Sequence, residues 1–171
     1  MITVSRVNGN KDILHTMYIT MNEIAILETI NPKLVPRVPY QNEYKLARID
    51  EIYDGDTVKI IVLFGETPIR LSLRIIGIDT PEIKQGEGRL PEEREAAIKV
   101  RDYMRSLFPK NIARICIRDW DKYGGRVLGD LHLETGENVS DILIHSGWAR
   151  PYHGEKKKEW TLDELTAPPF R

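Results

Sequence analysis

The chain has 171 residues, 41% hydrophobic and 30% charged, which suits a domain of ordinary size with a real core and excludes a disordered or low-complexity protein. Its formal net charge is −1, so a phosphate-bearing partner has to be held by a local site rather than by a general positive field. No apolar run reaches the ~20 residues that span a bilayer, the N-terminus lacks a basic-then-apolar leader pattern, and the lone Cys116 allows no internal disulfide and reads as a buried strand thiol.

Residues 1–43 read as an N-terminal extension. "MNEIAILETI" (21–30) fits a short helix or a strand, and the prolines of "NPKLVPRVPY" (31–40) predict an extended linker, because each disfavours helix at the residue before it. From Tyr44 the signal sharpens. "YKLARIDEIY" (44–53) and "DTVKIIVLF" (56–64) are strand-like runs joined through Asp54-Gly55, a pair that suits a type I′ hairpin turn. In the second run Val58, Ile60, Val62 and Phe64 share one face by period-2 alternation. A third run, "IRLSLRIIGI" (69–78), puts Leu71, Leu73 and Ile75 on one face and Arg74 on the other.

"LPEEREAAIKVRDYMRSLF" (90–108) predicts a helix, with Pro91 in its first turn, glutamates at the positive end of its dipole, and Ala97, Val100, Met104, Leu107 and Phe108 as its buried stripe. Two more strands, 113–119 and 125–133, precede a second helix over 138–146, capped by Asn138 or Ser140 and stopped at Gly147. Residues 155–171 read as a short C-terminal tail, in which the lysines of "EKKKEW" form a solvated run. The order predicts an α+β, mainly β domain over 44–154. Its expected form is a five-stranded, OB-fold-like Greek-key barrel of antiparallel strands with two helices packed against it.

Three short stretches carry candidate chemistry. In "DGDT", Asp54 belongs to the turn. Asp56, past the turn and on the face of Val58 and Ile60, needs a partner, because an unpaired buried carboxylate is costly. "LRIIGIDTPE" (73–82) sets Arg74 before Asp79, Thr80, Pro81 and Glu82 at a strand end. "DKYGGRVLGD" (121–130) holds Tyr123 and Arg126. Each alone also fits ordinary turn chemistry.

In order and spacing, "DGDT", "LRIIGIDTPE", "DKYGGRVL" and the later "GWARPY" together resemble the staphylococcal (thermonuclease-like) nuclease family, from about Tyr44 to Tyr152. The resemblance implies a Ca²⁺-dependent endonuclease that hydrolyses phosphodiester bonds of DNA and RNA, prefers single strands and leaves 3′-phosphates. It implies Asp56, Asp79 and the backbone carbonyl of Thr80 as metal ligands, and Glu82 as the residue that positions or deprotonates the attacking water. It also implies Arg74 and Arg126 as guanidinium clamps on the phosphate. These types suit the chemistry: Ca²⁺ takes several oxygen ligands in loose geometry, a glutamate accepts a proton from water, and arginine donates paired hydrogen bonds to phosphate oxygens. Tyr123 and Tyr152 are candidate substrate contacts by base stacking or phosphate contact. The chain departs from the family in one extra glycine before Arg126, an absent or reduced C-terminal helix and a low positive charge. The alternative is a non-catalytic, nuclease-like module that binds nucleic acid or assembles with protein. No membrane partner is expected, the default states are a monomer and a cytoplasmic location, and release or export by another route is left open.

Overall fold

The computed structural model describes residues 21–171 apart from 85, 87, 123 and 124. The described residues fall into two compact units, divided after Pro36. In the first, helix α1 (Met21–Thr29) resolves the helix-or-strand ambiguity, and a 3₁₀ turn (Pro32–Leu34) replaces part of the expected extended linker. Asn31 is extended, as a residue before proline should be, while its side chain accepts the Lys33 amide and caps the turn that Pro32 begins.

The second unit is built on β1 (Tyr44–Ile52), β2 (Thr57–Phe64), β3 (Thr67–Ile75), β5 (Ile112–Trp120) and β6 (Val127–His132), closed in the order β1-β2-β3-β6-β5. A two-residue strand, β4 (Ile78–Asp79), pairs outside the barrel with β7 (Arg150–Pro151). The expected mainly-β, five-stranded barrel is therefore present, with one difference: β3 and β6 pair in parallel. Parallel pairing needs a long crossover, and α2 (Pro91–Ser106) with β5 supplies it.

Local sequence explains the closure. In β1, Ala47 and Ile49 face the core in alternation, then the register slips between Ile49 and Glu51, and Ile52 is the next buried residue. That bulge bends the strand within the half that pairs with β2 (Arg48–Ile52), while the first half (Tyr44–Arg48) pairs with β5. Val58, Ile60 and Val62 of β2 and Leu73 and Ile75 of β3 are buried as the alternation predicts. Helix α2 closes one side with Ala97, Val100 and Met104, followed by Phe108, and begins with Pro91 in its first turn. Helix α3 (Val139–His145) is capped by the Asn138 side chain on the Ser140 amide. Cys116 is a buried free thiol.

The C-terminal residues pack rather than trail. A further helix, α4 (Leu162–Thr166), starts in a capping box of Thr161 and Glu164. Leu165 and Phe170 join the core, and Phe170 meets Trp148 and Trp160 edge-on at centroid distances of 5.5 and 5.9 Å. Among the described residues no helix is long and apolar enough to cross a membrane.

Candidate active site

The loop joining β1 to β2 differs from the hairpin that Asp-Gly suggests. Gly55 does not adopt a positive φ, so no type I′ turn forms. The reason for glycine is space: a Cβ there would lie 2.5 Å from Val100 Cγ1 of α2 and 2.7 Å from Thr80 Cγ2. The loop is pressed against the end of β4, and only a bare backbone fits between them. This contact brings "DGDT" onto "IDTPE".

Asp54 and Asp56 are both 3% exposed. Asp54 Oδ1 accepts the Asp56 amide at 3.3 Å, which supports the structural part expected of it. Burial pushes its carboxyl above the usual range, with the charge of Glu82 adding to this. Asp56 Oδ1 accepts the Thr57 hydroxyl at 2.9 Å, and its Oδ2 lies 2.9 Å from Arg74 Nη2. Thr57 and Arg74 are register partners across β2 and β3. Arg74 spends its aligned donors elsewhere: Nη1 on the Ile75 carbonyl at 2.8 Å and Nη2 on the Ile78 carbonyl at 3.1 Å. Asp56 Oδ2 is thus charge-paired yet has no hydrogen bond. Burial raises the Asp56 carboxyl to about 7, Arg74 and Lys157 pull against that, and Asp54 and Glu82 push the same way.

Gly77, with φ of +83°, turns the chain from β3 into β4. Asp79 follows, 3% exposed and opposite Arg150 in the β4–β7 pair. Arg150 donates to Asp79 Oδ2 from Nη2 at 2.9 Å and Nε at 3.2 Å. The other oxygen, Oδ1, lies 2.7 Å from the Lys157 ammonium, but without the alignment of a hydrogen bond. The buried Thr80 hydroxyl also lacks a partner. Glu82 Oε1 meets Lys157 Nζ at 2.8 Å, and the Glu82 amide donates to Glu93 Oε1 at 3.1 Å in the first turn of α2. Burial works to lower the Lys157 pKa, but Asp56, Asp79 and Glu82 together outweigh it and the net shift is upward.

Asp56, Arg74, Asp79, Thr80 and Glu82 therefore come together through direct contacts and a shared partner. Arg126 sits just before Val127, the residue that pairs with Leu73. Its guanidinium is engaged by Asp121 Oδ2, with Nη2 at 2.5 Å and Nε at 3.0 Å. Tyr152 donates its amide to the Gly77 carbonyl at 3.0 Å and its hydroxyl to the Glu155 carbonyl at 2.8 Å. Tyr123 lies outside the described residues. Sequence reasoning missed Arg150, Lys157 and Glu93. Arg150 lies within "GWARPY" and Lys157 within the lysine run, but no local pattern ties either to Asp79.

Residues 72–168, more than half of the chain, match the family model described as staphylococcal nuclease homologue. The chain belongs to this family. It is 29% identical over 105 residues to an uncharacterized endonuclease of Escherichia coli, a match covering 61% of this chain and 60% of that protein. It is 28% identical over 110 residues to endonuclease YhcR of Bacillus subtilis (strain 168), covering 61% of this chain and 9% of that protein. The chain thus spans less than two thirds of the length of these curated relatives. The nuclease-homologue match contains Arg74, Asp79, Thr80, Glu82, Arg126, Arg150 and Lys157. Asp56 precedes it and joins the cluster through Arg74.

Proposed function

We propose that this chain is a Ca²⁺-dependent endonuclease that hydrolyses phosphodiester bonds of DNA and RNA, with preference for single strands. The observation that carries the proposal is a pair of buried carboxylate oxygens without hydrogen bonds, Asp56 Oδ2 and Asp79 Oδ1, beside Glu82 and the Arg74 guanidinium. Buried polar atoms are ordinarily hydrogen-bonded, and each of these oxygens instead faces a cationic side chain, Arg74 at 2.9 Å and Lys157 at 2.7 Å, so the position already attracts positive charge. The donor set is all oxygen, which fits a hard ion such as Ca²⁺. Among the described residues no group of three His, Cys, Asp or Glu side chains is placed to hold a metal. Asp56, Asp79 and the Thr80 carbonyl would hold the ion, with water and the substrate's own oxygens completing its shell.

When bound, the ion supplies polarisation of the phosphate and offsets its charge. Glu82 accepts the proton of the attacking water, directly or through a second water, as the new P–O bond forms. The bond to the 5′-oxygen breaks, that oxygen takes up a proton, and a 3′-phosphate remains. Arg74 donates to phosphate oxygens as charge builds, and its ties to the Ile75 and Ile78 carbonyls fix the guanidinium plane in advance. Arg126 has the second clamp role once its guanidinium leaves Asp121 or reaches past it. Tyr152 and Tyr123 contact the nucleotides beside the cut.

The test is digestion of heat-denatured DNA by purified protein with Ca²⁺, with Mg²⁺ and with chelator, beside a Glu82→Gln variant. Cleavage that requires Ca²⁺ and drops at least ~100-fold in the variant is expected, the usual size of a lost general base. Absence of cleavage by the wild type under every condition would overturn the proposal.

A further inference from the structure

The strap 153–161 has no helix or strand, yet the chain is tied down on both sides of Lys157. The Tyr152 amide binds the Gly77 carbonyl at 3.0 Å. Arg150 donates to the carbonyls of Lys158 and Glu159, and its guanidinium lies 4.1 Å from the centre of the Trp160 ring. Between these anchors the Lys157 side chain turns inward, with Nζ 2.7 Å from Asp79 Oδ1 and 2.8 Å from Glu82 Oε1.

Asp79 has two oxygens, and Arg150 takes Oδ2 with two donors. The oxygen left for a metal is Oδ1, the one Lys157 touches. An ion bound to Oδ1 at the ~2.3–2.6 Å usual for Ca²⁺ would place two positive charges within a few ångströms of each other on one acceptor. The backbone of the strap is held by Arg150 and Tyr152 independently of Lys157, so the ammonium can leave by rotation of its own side chain.

We propose that Lys157 is a tethered competitor for the metal: its ammonium fills the cation position beside Asp79 and Glu82 in the metal-free protein, and a divalent cation has to displace it. This inference rests on the reading of Asp56 and Asp79 as metal ligands. Lys157 then sets the affinity of the site. An ammonium that fills the position nine-tenths of the time lowers the apparent metal affinity about tenfold, in proportion to the fraction of molecules left open.

Two measurements on the full chain test it. Calorimetric titration with CaCl₂ is expected to show about tenfold tighter binding to Lys157→Met than to wild type. Site-resolved acylation of lysine amines in the wild type, with and without CaCl₂, is expected to show Lys157 protected without the ion and exposed with it, relative to Lys156 and Lys158. The acylation arm separates displacement from the mere loss of a nearby positive charge, and it needs no variant. Ca²⁺ binding that leaves Lys157 acylation unchanged, or equal affinity in wild type and variant, would overturn this inference alone. Binding of Ca²⁺ to neither protein would remove the metal site and this inference with it.

Discussion

Replacing Gly55 with alanine adds one methyl group at the point where the β1–β2 loop meets the rest of the site. The new Cβ would sit 2.5 Å from Val100 Cγ1, 2.7 Å from Thr80 Cγ2 and 2.8 Å from Thr80 Cβ. Non-bonded carbons settle at ~3.5–4.0 Å, so each contact is short by about 1 Å. Relief is restricted on both sides. Val100 is fully buried within α2, where a β-branched side chain holds one χ1 rotamer. Thr80 is 1% exposed and its Cβ moves only with its backbone. Overpacking of this kind costs about 1–3 kcal/mol. The smaller entropy of an unfolded alanine returns ~0.4–1 kcal/mol, leaving a net loss of roughly 1–2 kcal/mol. Urea denaturation with an unchanged m-value reads that loss directly. The strain also falls on the residue next to Asp79, so cleavage is expected to fall by more than stability alone explains under conditions where both proteins are folded. A Gly55→Ala protein as stable as wild type would refute the claim that close approach, rather than turn geometry, fixes glycine here.

The remaining expectations follow from the buried acid and from the docked C-terminus. The Asp56 carboxyl rises on folding from 3.8 to about 7 through burial, so the folded state binds more protons than the unfolded state between those values. Metal-free stability attributable to Asp56 is then greatest at low pH and falls as pH rises through the folded value. Wild type minus Asp56→Asn in denaturation with chelator should change by on the order of 2–3 kcal/mol between pH 5 and 8, with the asparagine variant the relatively more stable at pH 8. Parallel pH curves for the two proteins would count against the raised carboxyl. Phe170 is 4% exposed against Trp148 and Trp160, so Phe170→Ala should cost about 3–5 kcal/mol and shift tryptophan emission to the red. A solvated tail would give neither change.

What the sequence made legible was short-range. Alternation along β2 and β3 and the stripe of α2 named their buried residues because each element's period is set by its own backbone. Asp56, Arg74, Asp79 and Glu82 stood out because each falls in a compact motif at a strand end. What stayed hidden depends on contacts between distant segments. Gly55 sat in a pair that usually makes a turn, and nothing near it in the chain announces that Val100 and Thr80 will press on it. Asp79 meets Arg150 and Lys157, over 70 residues later, and neither meeting leaves a local trace. The resemblance implies a phosphate clamp at Arg126, but its engagement by Asp121 appears only when the strand ends are brought together. Residues 155–171 lack a long amphipathic pattern, so the two buried anchors Leu165 and Phe170 could not be told from chance apolar residues in a tail.

The overall charge of −1 poorly fits a nucleic-acid enzyme, and the site itself sharpens the difficulty. Asp54, Asp56, Asp79 and Glu82 converge there, and cations that face them, Arg74, Arg89, Arg150 and Lys157, are already paired with members of the cluster. A phosphate approaching this cluster meets more negative than free positive charge, and no general positive field compensates. On the proposed reading a divalent ion reverses that balance in two ways. It adds two charges of its own, and it frees the Lys157 ammonium at the rim of the site. Metal and substrate binding should therefore be coupled, each strengthening the other by the same factor. On that reading this chain builds its attraction for phosphate locally, when the ion arrives, rather than through a general surface field.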